Sequence, residues 1–209
     1  MKRIFFCSLF VFLIACQQNT SNNILYSSKF DDIKYFGEDS FLLEGTDIAD
    51  SLKENKYDRL PASYKGFVRE PVWNLSKNSA GLSIRFLSNS SVITAKWELL
   101  NNFSMNHMPD TGIKGIDLYF KNNDKWQYIN TGIPRGFNNE YRLIDNMDNE
   151  LREYKIFLPL YDGIKNIEIG VDNLSFIQKP KKSERKPIIF YGTSTVSYTH
   201  LRAHETVSH

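Results

Sequence analysis

The stretch Ile93-Thr94-Ala95-Lys96-Trp97-Glu98-Leu99 alternates apolar and polar side chains without a break. A period of two puts Ile93, Ala95, Trp97 and Leu99 on one side of a strand and Thr94, Lys96 and Glu98 on the other. The same beat recurs on both sides of it. Leu82, Ile84 and Phe86 alternate with Ser83 and Arg85, and Ile116, Leu118 and Phe120 form a second set around Asp117. Tyr154, Ile156 and Leu158 lead into Pro159, while Ile167, Ile169 and Val171 alternate with Glu168 and Gly170. Polar turn clusters separate these runs at Ser88–Ser91, Asn122–Asp124, Asp162-Gly163 and Asp172-Asn173. Short alternating strands with polar turns bury one face of an antiparallel sheet. Several of them within about 150 residues predict an all-β, antiparallel, jelly-roll-like sandwich. No long helical period competes with this reading, and Asp47–Asn55 is the stretch expected to supply a short helix.

Composition narrows the function classes. The 209 residues carry a formal net charge of +2 with no basic block outside Lys181, Lys182, Arg185 and Lys186, which stand beside Pro180 and Pro187 as a solvated linker. No nucleic-acid partner is expected. Two cysteines, Cys7 and Cys16, both lie near the N-terminus, so the remaining chain offers no disulfide and no cysteine-based metal site. No cofactor and no metal are expected. Asp47, Asp50 and Asp58, and again Asp145, Asp148 and Glu150, gather oxygen ligands without the spacing of a calcium loop, and read as solvated acidic segments.

The N-terminus reads as a targeting segment. Lys2 and Arg3 precede the apolar run Ile4–Ile14, too short to span a bilayer comfortably, and the run ends Leu13-Ile14-Ala15-Cys16. That ending resembles the lipobox of bacterial lipoproteins. The resemblance implies removal of Met1–Ala15, lipidation of Cys16 and attachment to membrane lipid at the bacterial cell envelope, on the outer membrane or its periplasmic face. An ordinary cleaved signal peptide is the alternative.

Near the other end, Pro187-Ile188-Ile189-Phe190-Tyr191-Gly192-Thr193-Ser194 reads as a buried parallel strand followed by a tight turn that presents a hydroxyl. Such a strand delivers a nucleophile to the edge of an α/β sheet, beside backbone N–H groups that favour an oxyanion. Taken alone, a strand followed by Gly-Thr-Ser more often marks a plain turn serine, and it is the motifs upstream that favour a nucleophile. Between the ends, His107 lies in Ser104-Met105-Asn106-His107-Met108-Pro109-Asp110, a loop by composition, with no second ligand in sequence. Trp97 is in phase with the core, whereas Trp73 and Trp126 are open between core and a sugar-stacking surface.

Arg59-Leu60-Pro61, Val72-Trp73-Asn74-Leu75-Ser76, Ser79–Phe86, Asn106-His107-Met108, Gly112–Tyr119 (GIKGIDLY), Phe157–Tyr161, Ile167–Val171 and Pro187–Ser194 follow one another in an order that resembles the SGNH/GDSL-type hydrolase lipoproteins with an N-terminal β-sandwich bearing a GxDLY motif. The resemblance implies ester hydrolysis with Ser194 as nucleophile, here in GTS where GDS is more usual. It also implies oxyanion donors and an Asp-His pair farther along, in blocks the chain does not contain, so the fragment is expected to be inactive. The implied organisation is a signal peptide over 1–15, a lipidated cysteine and linker over 16–30 and the sandwich over 31–179. Residues 180–194 then give a linker and the first strand of a flavodoxin-like hydrolase domain. The tail 195–209, with His200 and His204, resembles translated sequencing-adapter text. The substrate the resemblance implies for the intact parent is an acylated small molecule or glycan. For the sandwich itself, His107, Met108, Asp110 and Trp73 are the candidates to line a cleft or bind a ligand, and a glycan-binding module without catalysis is the alternative.

Overall fold

The computed structural model describes residues 32–182. The expected signal peptide, Cys16, the Ile188–Tyr191 strand, Ser194 and the tail all lie outside these residues. Ten strands appear in chain order: β1 (Ile33–Phe36), β2 (Leu42–Glu44), β3 (Ser83–Ser88), β4 (Ile93–Leu99), β5 (Ile116–Asn122), β6 (Lys125–Gly132), β7 (Asn138–Ile144), β8 (Arg152–Phe157), β9 (Ile164–Asp172) and β10 (Ile177–Gln178). Two short helices interrupt them, α1 (Glu70–Leu75) and α2 (Asp110–Lys114). The helix expected within Asp47–Asn55 is a single 3-10 turn, Asp50–Leu52. α1 was not anticipated. It holds Pro71 in its first turn, where a missing N–H costs nothing, and it is too short to show a period.

Every pairing is antiparallel. One sheet runs β1-β9-β4-β7 and the other β10-β3-β8-β5-β6, with β2 beside β10 along the same edge of β3. Strands thus pair in nested order, β1 with β9, β3 with β8, β4 with β7 and β5 with β6, which is the wound hairpin of a jelly roll. The alternation quoted above accounts for this directly. Ile93, Ala95, Trp97 and Leu99 of β4, with Ile167, Ile169 and Val171 of β9 beside them, face Ile84 and Phe86 of β3, Ile116 and Leu118 of β5, and Tyr154 and Ile156 of β8 in one continuous core. Phe86 and Tyr154 stack at 5.5 Å between ring centroids. Asn130 Nδ2 donates to the Leu143 carbonyl oxygen at 3.0 Å, tying β6 in one sheet to β7 in the other.

The turns do specific work. Asn123 and Asp124 both adopt positive φ (47° and 63°), the pair of left-handed residues that lets β5 and β6 join through a tight hairpin. Asp172 accepts from the hydroxyls of Ser90 (2.6 Å) and Ser175 (2.7 Å), which binds the β3–β4 turn to the end of β9. Gly170 matters for a different reason. A Cβ there would sit 2.6 Å from Ile33 and 2.7 Å from the Tyr35 ring, so only glycine lets Tyr35 lie across the sheet. Its hydroxyl reaches Glu140 on β7, two strands away from its neighbour β9.

Candidate functional site

At one end of the sandwich, the connection from β4 to β5 carries His107, Met108 and Asp110, and its base is Asp162. That carboxylate is fully buried. Oδ1 accepts from the backbone N–H groups of Gly163 (2.8 Å) and Asn101 (3.0 Å) and from Asn101 Nδ2 (3.1 Å). Oδ2 accepts from the Asn102 N–H at 2.7 Å. Four N–H donors converging on one carboxylate compensate its removal from water and fix where the loop departs. Asn102 then takes a left-handed backbone (φ 54°), a conformation asparagine tolerates well.

A second charged residue holds the loop from within. Lys114, the last residue of α2, is 3% exposed. Its Nζ donates to Asn102 Oδ1 (2.8 Å), approaches Ser104 Oγ (3.4 Å) and pairs with Asp110 Oδ2 at 3.2 Å across one helical turn. Ser104 Oγ donates to Asp110 Oδ1 at 2.8 Å. These contacts, the serine hydrogen bond first and the lysine after it, hold the Asp110 carboxyl below the ordinary aspartate value, against a smaller opposing effect of burial. The tip between them is a tight bend. Met105 bridges to Met108, and Asn106 and His107 stand exposed. Met108, just before α2, packs its side chain against the helix, where a Cβ on Gly112 would come within 3.3 Å of its Cγ. Asp110 and Met108 therefore belong to one braced loop, with His107 presented to solvent on top.

Trp73 is placed elsewhere. It is buried in α1 at 8% exposure, and Lys77 Nζ lies 4.1 Å from its ring centre. Lys77 in turn pairs with Asp58 (2.7 Å) and Glu54 (2.8 Å), around a hollow of about 190 Å³ that Leu100 and Ile164 help to line. The two groups share an anchor, since the Asp162 carbonyl oxygen accepts from the Ser79 N–H at 2.9 Å. Trp97 points into the core, and Trp126 lies half-buried on the outside of the six-stranded sheet with Lys155 Nζ 4.7 Å from its ring centre. Asp148 and Glu150 pair with Arg152, Asp145 with Arg142, and Asp50 with Lys53 and Lys56. Among the described residues no three His, Cys, Asp or Glu side chains are grouped to hold a metal ion.

Gly112–Tyr119 links this end to the sheet. A Cβ on Gly115 would lie 2.4 Å from the Thr111 carbonyl oxygen, so glycine is required where α2 passes into β5. Ile116 and Leu118 enter the core fully. Asp117 and Tyr119 take the opposite phase, out of the sandwich. Thr131 donates to Asp117 at 2.5 Å, and the Tyr128 hydroxyl lies 2.9 Å from Thr131. Tyr119 sits edge-on to Tyr128 (5.6 Å, 71°) and to Phe157 (5.3 Å, 83°). This outward aromatic group was missed in the sequence, although Tyr119 stands at odds with the apolar beat of Ile116 and Leu118, and that was the available signal.

Comparison with known proteins bears on both features. The model of the GxDLY family, the N-terminus of SGNH-hydrolase-type esterases, matches residues 33–177. No curated protein is similar enough in sequence to match. Among solved structures, a Bacteroides ovatus protein provisionally assigned as a GDSL-like lipase is 37% identical with a TM-score of 0.67, over 72% of this chain and 44% of that one. The salicylyl-acyltransferase SsfX3 of a tetracycline biosynthetic pathway is 11% identical with a TM-score of 0.51, over 72% of this chain and 42% of that one, a likeness of fold alone. The chain spans less than half the length of either structure.

Proposed function

Because the chain belongs to the GxDLY family, the N-terminal region of SGNH-type esterases, we propose that it is the accessory β-sandwich of a lipid-anchored ester hydrolase. The observation that supports this most is the family match over residues 33–177, followed in the sequence by Pro187–Ser194 in the place where a nucleophile strand belongs. In the intact protein, the Ser194 hydroxyl attacks the ester carbonyl carbon while a histidine from farther along the chain takes its proton. Backbone N–H groups at the turn hold the oxyanion, the alcohol leaves with the proton, and water then releases the acid. Cys16 carries the acyl chains that keep the enzyme at the envelope membrane, and the substrate is an acylated small molecule or glycan.

The sandwich serves this chemistry as a wall. A loop pinned by Asp162 and braced by Lys114 offers His107, Met108 and Asp110 at fixed positions, as a cleft-lining element requires. The test begins with the reading frame beyond residue 194, read from the source DNA. A frame continuing into an Asp-x-x-His block, whose product hydrolyses p-nitrophenyl acetate and loses that activity in Ser194→Ala, supports the proposal. A frame with no such block overturns the esterase reading.

A further inference from the structure

We infer that the outer face of the six-stranded sheet, centred on Asp117, Tyr119, Tyr128 and Phe157, is the seat on which the polypeptide beyond residue 182 packs as a folded domain. The inference rests on the reading above, in which that polypeptide is the hydrolase domain, and adds the surface by which the two parts meet.

Three observations converge on this face. The first is its chemistry. A sheet wetted on one side carries polar residues in its outward phase. Here β8, β5 and β6 instead set Phe157, Tyr119 and Tyr128 side by side, each ring against the next, with Lys155 Nζ between Phe157 (5.8 Å) and Trp126 (4.7 Å). Tyr128 is left 55% exposed. Aromatic rings with polar tips, gathered around a few charges, are the composition of an interface core.

The second is Asp117. Its carboxylate opens on this face with Thr131 as donor, and its burial, opposed by the Thr131 bond, moves its pKa upward. A carboxylate already partly withdrawn from water gains most from a further donor brought by a partner.

The third is the direction in which the chain leaves. β10 pairs with the Leu87–Ser88 end of the β3 edge that it shares with β2, and past it Arg85 Nη2 donates to the Lys181 carbonyl oxygen at 3.0 Å. Arg85 is itself an outward residue of this sheet, paired with Glu44 at 2.8 Å and with Glu153. β10 runs antiparallel to β3 and so heads toward its Ser83 end, but β2 holds that edge from Arg85 to Ser83, and Lys181 is held instead by the outward-pointing Arg85 side chain. Ser83 is level with Phe157, and Phe157 is level with Asp117. Lys181 is thus held at the border of this outward face, one strand from Phe157.

Stacking of a sugar on the same rings is the rival occupant. The rings meet edge-on and Lys155 stands over Trp126, so no two flat faces lie open side by side, as stacking would want.

The test uses the full-length polypeptide encoded by the continued reading frame. Hydroxyl-radical labelling compares Tyr128 with Phe176, which lies at the far end of the sandwich and is 42% exposed. After correction for intrinsic reactivity, Tyr128 is expected to label several-fold more slowly than Phe176. Tyr128→Lys is expected to split a single thermal unfolding transition into two, whereas Leu174→Lys, at a 96% exposed turn position, leaves it single. Equal labelling of Tyr128 and Phe176 overturns the inference whether or not the lysine variant folds. Labelling that becomes slow only when an oligosaccharide is added also overturns it, in favour of sugar stacking. A continued frame that encodes no hydrolase domain removes the functional reading itself, and that failure is visible in the sequence before any labelling.

Discussion

On the outside of the four-stranded sheet, Lys96 of β4 stands level with Glu168 of β9 and Glu140 of β7; on the outside of the six-stranded sheet, Lys155 of β8 stands level with Arg85 of β3 and Tyr119 of β5. The first face settles its charges locally. Lys165 pairs with Glu98 at 3.0 Å, Lys96 approaches Glu140 at 3.8 Å and lies 3.6 Å from the Tyr35 ring centre, and the shallow hollow of about 340 Å³ among them is walled largely by charged and amide side chains. The second face also pairs its charges, Arg85 with Glu44 and Glu153 and Lys155 with Glu44 at 3.0 Å, but it adds three rings packed edge to face beside a half-buried aspartate. Both sheets share one core and one alternation, so the core does not explain the contrast. What differs is the medium each outward face is built to meet, and the six-stranded face is the one shaped for a partner.

The sharpest way to break this contrast is Phe157→Ala. The ring is half-buried and packs edge-on against Tyr119, so its loss should cost about 2 kcal/mol in urea unfolding. A cost no larger than that of an exposed surface change would mean that the aromatic group is not a packed unit.

A smaller effect comes from Asp117 and depends on pH. Burial raises its carboxyl above the ordinary value, with the Thr131 hydrogen bond opposing. A carboxyl that binds its proton more readily in the fold than in the unfolded chain makes stability fall as pH rises through the folded pKa. Its favourable effect is complete only below the ordinary aspartate range. Asp117→Asn should therefore flatten the acid-side slope of the urea midpoint between neutral and mildly acid pH, and an unchanged slope would count against this assignment.

The smallest effect belongs to the charged face. Lys165→Gln removes a partner from an exposed pair with Glu98 and should change stability by no more than about 0.5 kcal/mol, and less in high salt. A loss comparable to that of Phe157→Ala would erase the distinction between the faces.

Much of this was legible in the sequence, and the reason is physical. β3, β4, β5, β8 and β9 are central strands with one face in the core, so burial writes a period of two into them. The turns at Ser88–Ser91, Asn122–Asp124, Asp162-Gly163 and Asp172-Asn173 were equally visible, since they need hydroxyls, amides or left-handed residues. The edge strands were silent. β7 reads Asn138-Asn139-Glu140-Tyr141-Arg142-Leu143-Ile144, where Asn139 takes an inward place by bonding the 135–137 turn. β6 hides its phase behind the register shift opposite Leu118 and Tyr119, which places Tyr128 against Tyr119 and leaves Ile129 out of step. At the loop, the residues His107, Met108 and Asp110 could be named from their segment. Lys114 and Asp162 could not, because a buried lysine and a buried aspartate look like solvated charges until their partners are known.

The position of β9 has a consequence for the order of synthesis. It is a middle strand, lying between β1 and β4, and it is the only described partner of β1, yet it is made almost last, at Ile164–Asp172. A nascent chain that has reached β8 therefore holds a sheet without its centre and a first strand with nothing to bond. At roughly 5–20 residues added per second, the sandwich waits about one to three seconds in this open state and closes only as the segment after residue 172 emerges. Closure of the sandwich and arrival of the chain that follows it are thus nearly simultaneous events.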